Sequence, residues 1–405
     1  MDLDDEKGKT MKTTFDLDRK YAAKILRSLA GQIQRKSWNP ILDSVVLAVG
    51  EDKIEVIATD LQSVTTMKIG YNVSNASPTS FLVPFGEFKN FVCNSKTDLI
   101  TIEHEDGKVT LISNGNRIEC LSEEVEKFPA PIPKRHDDVV QLTLDLGKFR
   151  QGLERTVIAA ANESSRYALD CVLFEFENFQ LTVVGTDGKR MAASRLGQYS
   201  GFPPTEFADE VKTTIIPVKT CLLILKLIKS LGKRHHNTVT IAANAETLSV
   251  TCSEFTVICR YATGRYPRWR DVKPFSSFEA DLDCSSLLVA FRDGVNYLDD
   301  EHRGMDVHLE AGRMILSVDY EGRSWNAALE TNYYGEPIDA TLDPCLIIDW
   351  LKMLDPKDGP VKLVAGSDRK AFLFRHGPNP TYPEVEFLVI PLTRERDCVR
   401  EEASV

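Results

Sequence analysis

Three times along the chain, a short run of alternating apolar and polar residues gives way to apolar residues spaced three and four apart. The first rhythm belongs to a half-buried strand and the second to an amphipathic helix. Phe15 and Leu17 lead into RKYAAKILRSL, Leu142 and Leu144 into GKFRQGLERTV, and Phe278 and Leu282 into CSSLLVAFRDGV. Leu17, Leu144 and Leu282 stand 127 and 138 residues apart. Downstream, the stretches IEVIATD, LTVVGTD and MILSVDY each reach a carboxylate, Asp60, Asp187 and Asp319, where a turn is expected. A further strand then ends at Pro84, Pro217 or Pro344, ahead of a second helical pattern. Proline in the first turn of a helix gives up no hydrogen bond, so these prolines suit helix starts. More alternating strands, such as KVTLISNGNRIECL and ETLSVTCSEFTVICRY, close the segments.

The pattern predicts an α+β chain made of three copies of a unit of roughly 130 residues, each with two helices packed on antiparallel sheets. Boundaries are expected at a leader 1–11, repeats 12–137, 138–274 and 275–394, and a tail 395–405. Proline-rich joints lie at PAPIPKRHDD and YPRWRDVKP.

Apolar residues make up 42% of the 405 and charged ones 27%, which excludes global disorder, collagen and a disulfide-stapled miniprotein. No apolar run approaches the length of a membrane span, and the first residues, MDLDDEKGKT, are too acidic for a signal peptide. Nine scattered cysteines without a C-x-x-C spacing argue against a disulfide framework or a zinc cluster, and fit small buried hydrophobes in a reducing cytosol.

A net charge of −11 speaks against nucleic acid as a partner, but only on average. On one helix, Lys219, Lys226, Lys229 and Lys233 fall within an arc of about 80°, and Leu222, Leu225, Ile228 and Leu231 are expected opposite them. On another, Lys20, Lys24 and Arg27 fall within about 60°. Such stripes are either ordinary solvated faces or a surface matched to a polyanion, which lysine and arginine hold without reading sequence.

The segments NPILDSVVLAV…IEVIATDLQ, SSRYALDCVLFE…LTVVGTDGKRMA, GRYPRWRDVKP and FLVIPL resemble the bacterial DNA polymerase III β subunit family, the sliding clamps. The resemblance runs from about Thr13 to Leu392. It implies clamp-type domains in a head-to-tail homodimeric ring, helices lining the hole and sheets outside, around double-stranded DNA without sequence specificity. The implied function is that of a processivity factor, a tether without catalytic chemistry, metal or cofactor, in the cytoplasm at the nucleoid. Its implied partners are the replicative polymerase and clamp-loader subunits, which dock through short peptide motifs.

Carried over by position, the peptide pocket comprises Arg166, Leu169, Thr186, Gly188, Lys189, Arg190, Met191, Pro267, Val272, Leu388, Val389, Ile390, Pro391 and Leu392. For DNA the resemblance adds Lys36, Tyr167, Lys219 and Arg270 to the stripe residues, and for the ring contact it sets Ile118 and Cys120 against Tyr297 and Leu298. Two departures stand out: Asp271 occupies a position that is usually basic, and the chain continues past the last strand as TRERDCVREEASV.

Other chemistry finds little footing. Asp187 with Lys189 and Arg190 reads as a turn before it reads as a catalytic group. Ser230 and Lys233 match S-x-x-K without its companion motifs. His235 and His236 are adjacent, so they point apart, and Asp299 to His302 reads as a solvated loop before a cation site. No phosphate-binding glycine loop is present. A clamp-derived scaffold outside replication and a β-rich hydrolase are the alternative readings.

Overall fold

In β1 (Thr13–Asp18), buried Thr13, Phe15 and Leu17 alternate with exposed neighbours, as a strand with one wet face requires. Asp18 ends it by accepting a 2.7 Å hydrogen bond from the Tyr21 amide, the N-cap of α1 (Arg19–Leu29). The first repeat continues with β2 (Ser44–Val49), β3 (Lys53–Thr59), β4 (Ser63–Tyr71), β5 (Thr79–Pro84), α2 (Phe85–Asn94), β6 (Leu99–Glu105), β7 (Lys108–Ser113) and β8 (Asn116–Leu121). The same order recurs as β9 (Val140–Asp145), α3 (Leu146–Val157), β10 (Cys171–Glu177), β11 (Gln180–Thr186), β12 (Arg190–Gly197), β13 (Lys212–Pro217), α4 (Val218–Leu231), β14 (Thr238–Ala243), β15 (Thr247–Thr251) and β16 (Phe255–Arg260). It recurs again as β17 (Phe278–Leu282), α5 (Cys284–Val295), β18 (Met305–Glu310), β19 (Arg313–Tyr320), β20 (Arg323–Glu330), β21 (Ile338–Leu342), α6 (Pro344–Leu351), β22 (Val361–Ala365), β23 (Phe372–His376) and β24 (Val385–Val389).

These elements come from a computed structural model that describes residues 12–33, 39–71, 78–129, 140–163, 167–177, 180–197, 212–231, 238–244, 246–274, 278–299, 302–320, 322–366, 370–377 and 384–393. Arg166, Lys36, Lys233, His235, His236, the leader 1–11 and the tail 395–405 lie outside them.

The chain divides into two compact units, Met1–Leu146 with Lys219–Tyr261, and Gly147–Val218 with Ala262–Val405. Unit 1 holds a four-stranded sheet β1-β6-β7-β8 and an eight-stranded sheet β5-β2-β3-β4-β16-β15-β14-β9. Unit 2 holds an eight-stranded sheet β13-β10-β11-β12-β24-β23-β22-β17 and a four-stranded sheet β20-β19-β18-β21. Each large sheet joins four strands of one repeat to four of the next by an antiparallel edge. β4 takes β16, with Thr65 opposite Val257, and β12 takes β24, with Met191 opposite Leu388. The equivalent strand of the third repeat, β20, and the equivalent of β16 and β24 in the first, β8, each end a four-stranded sheet.

In unit 2, α5 and α6 bury Leu287, Phe291, Ile347 and Trp350 in one core with Phe372, Phe374 and Phe387, and Trp350 stacks on Phe387 with centroids 5.1 Å apart. Among the described residues no helix is long and apolar enough to cross a membrane.

Two expectations need correction. Asp60 and Asp187 follow their strands, but Asp319 lies inside β19, opposite Ser324, because the third hairpin turns only after Tyr320, through Gly322 at φ 79°. Leu222 is not opposite the lysines. It is 51% exposed among them, because three residues carry a helix about 300° around and bring it back to within about 60° of Lys219.

Candidate functional site

Two turns at equivalent places share one hydrogen-bond scheme. In unit 1 the Thr59 hydroxyl donates to the Ser63 carbonyl (2.9 Å) and accepts from the Leu61 amide (3.1 Å), while Asp60 Oδ1 accepts from the Gln62 and Ser63 amides (3.2 and 2.8 Å). In unit 2 the Thr186 hydroxyl donates to the Arg190 carbonyl (2.7 Å) and accepts from the Gly188 amide (3.2 Å). Asp187 Oδ1 there accepts from the Lys189 and Arg190 amides, both at 2.9 Å. The residue after the aspartate has positive φ in both, 72° at Leu61 and 88° at Gly188. A neighbouring strand ties down each loop: the Arg260 amide donates to the Gln62 carbonyl (3.0 Å), and the Ile390 amide to the Lys189 carbonyl (2.9 Å).

The second aspartate oxygen is used differently. Asp60 receives the Lys219 ammonium at 3.0 Å, from the start of α4. Asp187 receives the Arg190 guanidinium at 3.1 Å, and Arg190 also reaches the Leu346 carbonyl of α6 at 3.5 Å. With both oxygens engaged in fixing its own loop, Asp187 serves the turn and not proton transfer.

Around the Asp187 turn, unit 2 brings together several of the described residues expected to form the pocket: Thr186, Gly188, Lys189, Arg190, Met191, Leu388 and Ile390. Met191 and Leu388, paired across β12 and β24, are buried in a cluster with Trp269, Ala168 and Leu373. Arg190 and Val389 form the next pair, so their side chains alternate to the other face, where Val389 is fully buried in the main core. Thr186 is buried as well, and Leu169 and Pro267 are half-buried. Gly188, Lys189, Val272, Ile390 and Leu392 are exposed, and Arg190 and Pro391 are half-buried.

Trp269, in the segment GRYPRWRDVKP, was not itself singled out in the sequence. Trp269 carries the Arg270 guanidinium at 4.3 Å and the Lys273 ammonium at 4.6 Å from its ring centroid. Arg270 donates to Glu175 (2.7 Å), and that hydrogen bond raises its pKa; Lys273 donates to Glu386 while burial lowers its own. Arg270 is thus tied to the sheet, and exposed Asp271 is its neighbour. The aromatic residue in YPRWR was the available signal, but only the fold shows what it covers.

Lys20, Lys24 and Arg27 on α1 and Lys219, Lys226 and Lys229 on α4 are all exposed, as their spacing predicted. Tyr167 is exposed too. Ile118 lies on β8 and lines a cavity of about 390 Å³ with Glu87, Asn90, Phe91, Asn94, Ser95, Ser113 and Asn116, while Cys120 is buried nearby on the same strand. Tyr297 stacks on Trp325 of β20 with centroids 6.1 Å apart, and Leu298 packs against the core of unit 2. The two halves of the expected ring contact therefore accompany the two strands left without their equivalent partner. Among the described residues no three His, Cys, Asp or Glu side chains gather as metal ligands.

Three repeats of eight strands and two helices, joined edge to edge, define a clamp-type α+β fold. Residues 13–131 match the model of the DNA polymerase III beta subunit N-terminal domain, and residues 143–268 that of its central domain. The chain belongs to the DNA polymerase III beta subunit family. It is 26% identical over 346 residues to the beta sliding clamp of Vibrio cholerae, covering 84% of this chain and 90% of that protein. The corresponding protein of Pseudomonas putida is 22% identical over 382 residues, covering 93% and 99%. Among solved structures, the sliding clamp of Pseudomonas aeruginosa bound to griselimycin superposes with a TM-score of 0.82 at 21% identity, over 96% of this chain and all of that one.

Proposed function

We propose that this chain is a DNA polymerase processivity factor: two copies close head to tail into a ring around duplex DNA, and a short peptide of the polymerase or of a clamp-loader subunit docks beside the Asp187 turn. The observation that carries this is the use of sheet edges. The first two repeats each have their outer strand, β4 or β12, filled by the closing strand of the next repeat. The third repeat has β20 waiting for such a strand, and the first has β8 to give. A heterologous edge of this kind either closes or runs on as a fibre, and two copies of three repeats close it. Ile118 and Cys120 on β8 and Tyr297 and Leu298 beside β20 belong to that contact.

The work is topological. The helix cations hold phosphate without reading bases, so the ring moves along the duplex, and a tethered polymerase stays at high local concentration near its template. No catalytic group is called for, and the place of work is the cytoplasm, at the nucleoid. The peptide lays apolar side chains over Val272, Ile390 and Leu392, and Arg190 and Lys189 offer donors to its carbonyls.

The test is retention after loading on closed circular and on linear DNA. Rapid loss from linear ends with lasting retention on circles is expected; equal loss from both rejects encirclement.

A further inference from the structure

We propose that the phosphate grip of this chain is confined to unit 1: α1 and α4 carry it, and the helices of unit 2 present an electrically balanced face past which the duplex slides. This rests on the ring reading above and assigns the grip within it.

The threefold repeat allows position to be compared with position. The second, sixth and ninth residues of α1 are Lys20, Lys24 and Arg27. The same places hold Gly147, Gln151 and Glu154 in α3, and Ser285, Val289 and Arg292 in α5. Among the second helices, α4 exposes Lys219, Lys226 and Lys229, whereas α6 and its C-cap expose Cys345, Asp349 and Lys352, and α2 exposes Glu87, Asn90 and Asn94. Among the described helices, only α1 and α4 carry three exposed cations on one face, and both faces lie in unit 1.

The pairing of the remaining cations points the same way. Lys148 on α3 sits 3.7 Å from Glu384, Lys352 at the C-cap of α6 sits 3.2 Å from Asp349, and exposed Arg292 on α5 is followed by exposed Asp293. Lys148 and Lys352 thus each have an acid within ion-pair distance, and Arg292 has one next to it in sequence. In unit 1, Lys20 shares its charge with Asp98 at 3.8 Å and Lys219 with buried Asp60. Lys24 and Arg27 complete the cationic face of α1, and Lys226 adds to that of α4, which exposed Leu222 shares. A polyanion gains from displaced counterions only where a cation is not already offset, so the attraction concentrates on α1 and α4.

The salt dependence of binding to a short linear duplex, read by fluorescence anisotropy on the dimer, tests this. Replacing Lys24, Arg27 and Lys226 with glutamine should flatten the log–log salt slope by about 0.9 for each phosphate contact removed. Lys148→Gln with Arg292→Gln and Lys352→Gln should leave the slope at the parent value. Val289→Lys with Asp349→Lys should steepen it. All these positions are exposed, and thermal melting verifies that each variant folds. Equal flattening by the two glutamine sets, or no steepening by the added lysines, overturns the proposal. If the parent is also lost equally from circles and linear DNA, it is the ring reading that fails. If circle retention persists, the ring stands and only the assignment of the grip falls.

Discussion

The Asp60 and Asp187 turns are built from the same hydrogen bonds and put to opposite uses. In unit 1 the turn is closed: Leu61 fills the place after the aspartate, and Lys219 arrives from 159 positions away to neutralise a buried carboxylate. In unit 2 the same place is Gly188, where an added Cβ would meet nothing within 4 Å, and the aspartate is served from within its own turn by Arg190. Duplication thus supplied two scaffolds of one design. Two side-chain choices leave one turn open, where the proposed peptide would dock, and tie the other to the helix that carries the lysines.

The largest effect that separates the two concerns what lies beneath. The floor in unit 2 is a cluster that includes Trp269, Leu173, Met191, Leu373 and Leu388, whereas Phe128 in unit 1 joins a smaller cluster of Ile41, Val46 and Leu82 with half-buried Ile57 and Val125 against it. Trp269→Ala should cost about 4–5 kcal/mol and Phe128→Ala nearer about 3, by chemical denaturation, because the wider cluster leaves the larger cavity. Equal losses would mean that the two clusters are equivalent and that the contrast lies only at the surface.

Gly188→Leu copies unit 1 into unit 2. The turn should survive, since Leu61 already sits at φ 72°, with a strain of about 1 kcal/mol. Calorimetry with a polymerase-tail peptide should show affinity down about tenfold or more, a loss of about 1.4 kcal/mol, with the dimer intact. Unchanged affinity would remove the Asp187 turn from the pocket. The reciprocal Leu61→Gly relieves the same strain, and a stabilisation of at most about 1 kcal/mol is expected because Leu61 is 41% exposed.

Much of this was legible in the sequence because period is local. β1, β9 and β17 and the helices after them fall where the change from alternation to helical spacing puts them. The same periodicity set Lys24, Arg27 and Lys226 on exposed faces. Three things were not legible, each for a reason of distance or of loop length. β4 lies beside β16 although a whole repeat separates them in sequence, and edge pairing between strands leaves no local mark. The Lys219–Asp60 pair needs α4 and the first repeat brought together, so a helix cation that reads as solvated is in part structural. The third hairpin is shorter than the other two, so Asp319 stays in its strand and the third repeat has no counterpart of either turn.

The smallest predicted effect uses proton binding to tell the repeats apart. His308 on β18 faces Asp339 on β21 at 2.7 Å, while the corresponding pair of the first repeat, on β2 and β5, is Ala48 and Ser80. The hydrogen bond to Asp339 raises the His308 pKa above its ordinary value, with Glu310 at 3.6 Å adding to the effect. A histidine whose folded pKa is raised binds its proton more tightly when folded, so its stabilisation is complete below about pH 6.5 and disappears as pH rises through the raised value. Both side chains are partly in water, so the contribution is small. His308→Gln should therefore lower the melting temperature slightly at pH 6 and not at pH 8. Hydrogen exchange should place that loss in the sheet of β18 to β21, with the sheets of unit 1 unmoved. A loss of equal size at both pH values would make His308 a packing residue and remove proton binding from the differences between the repeats.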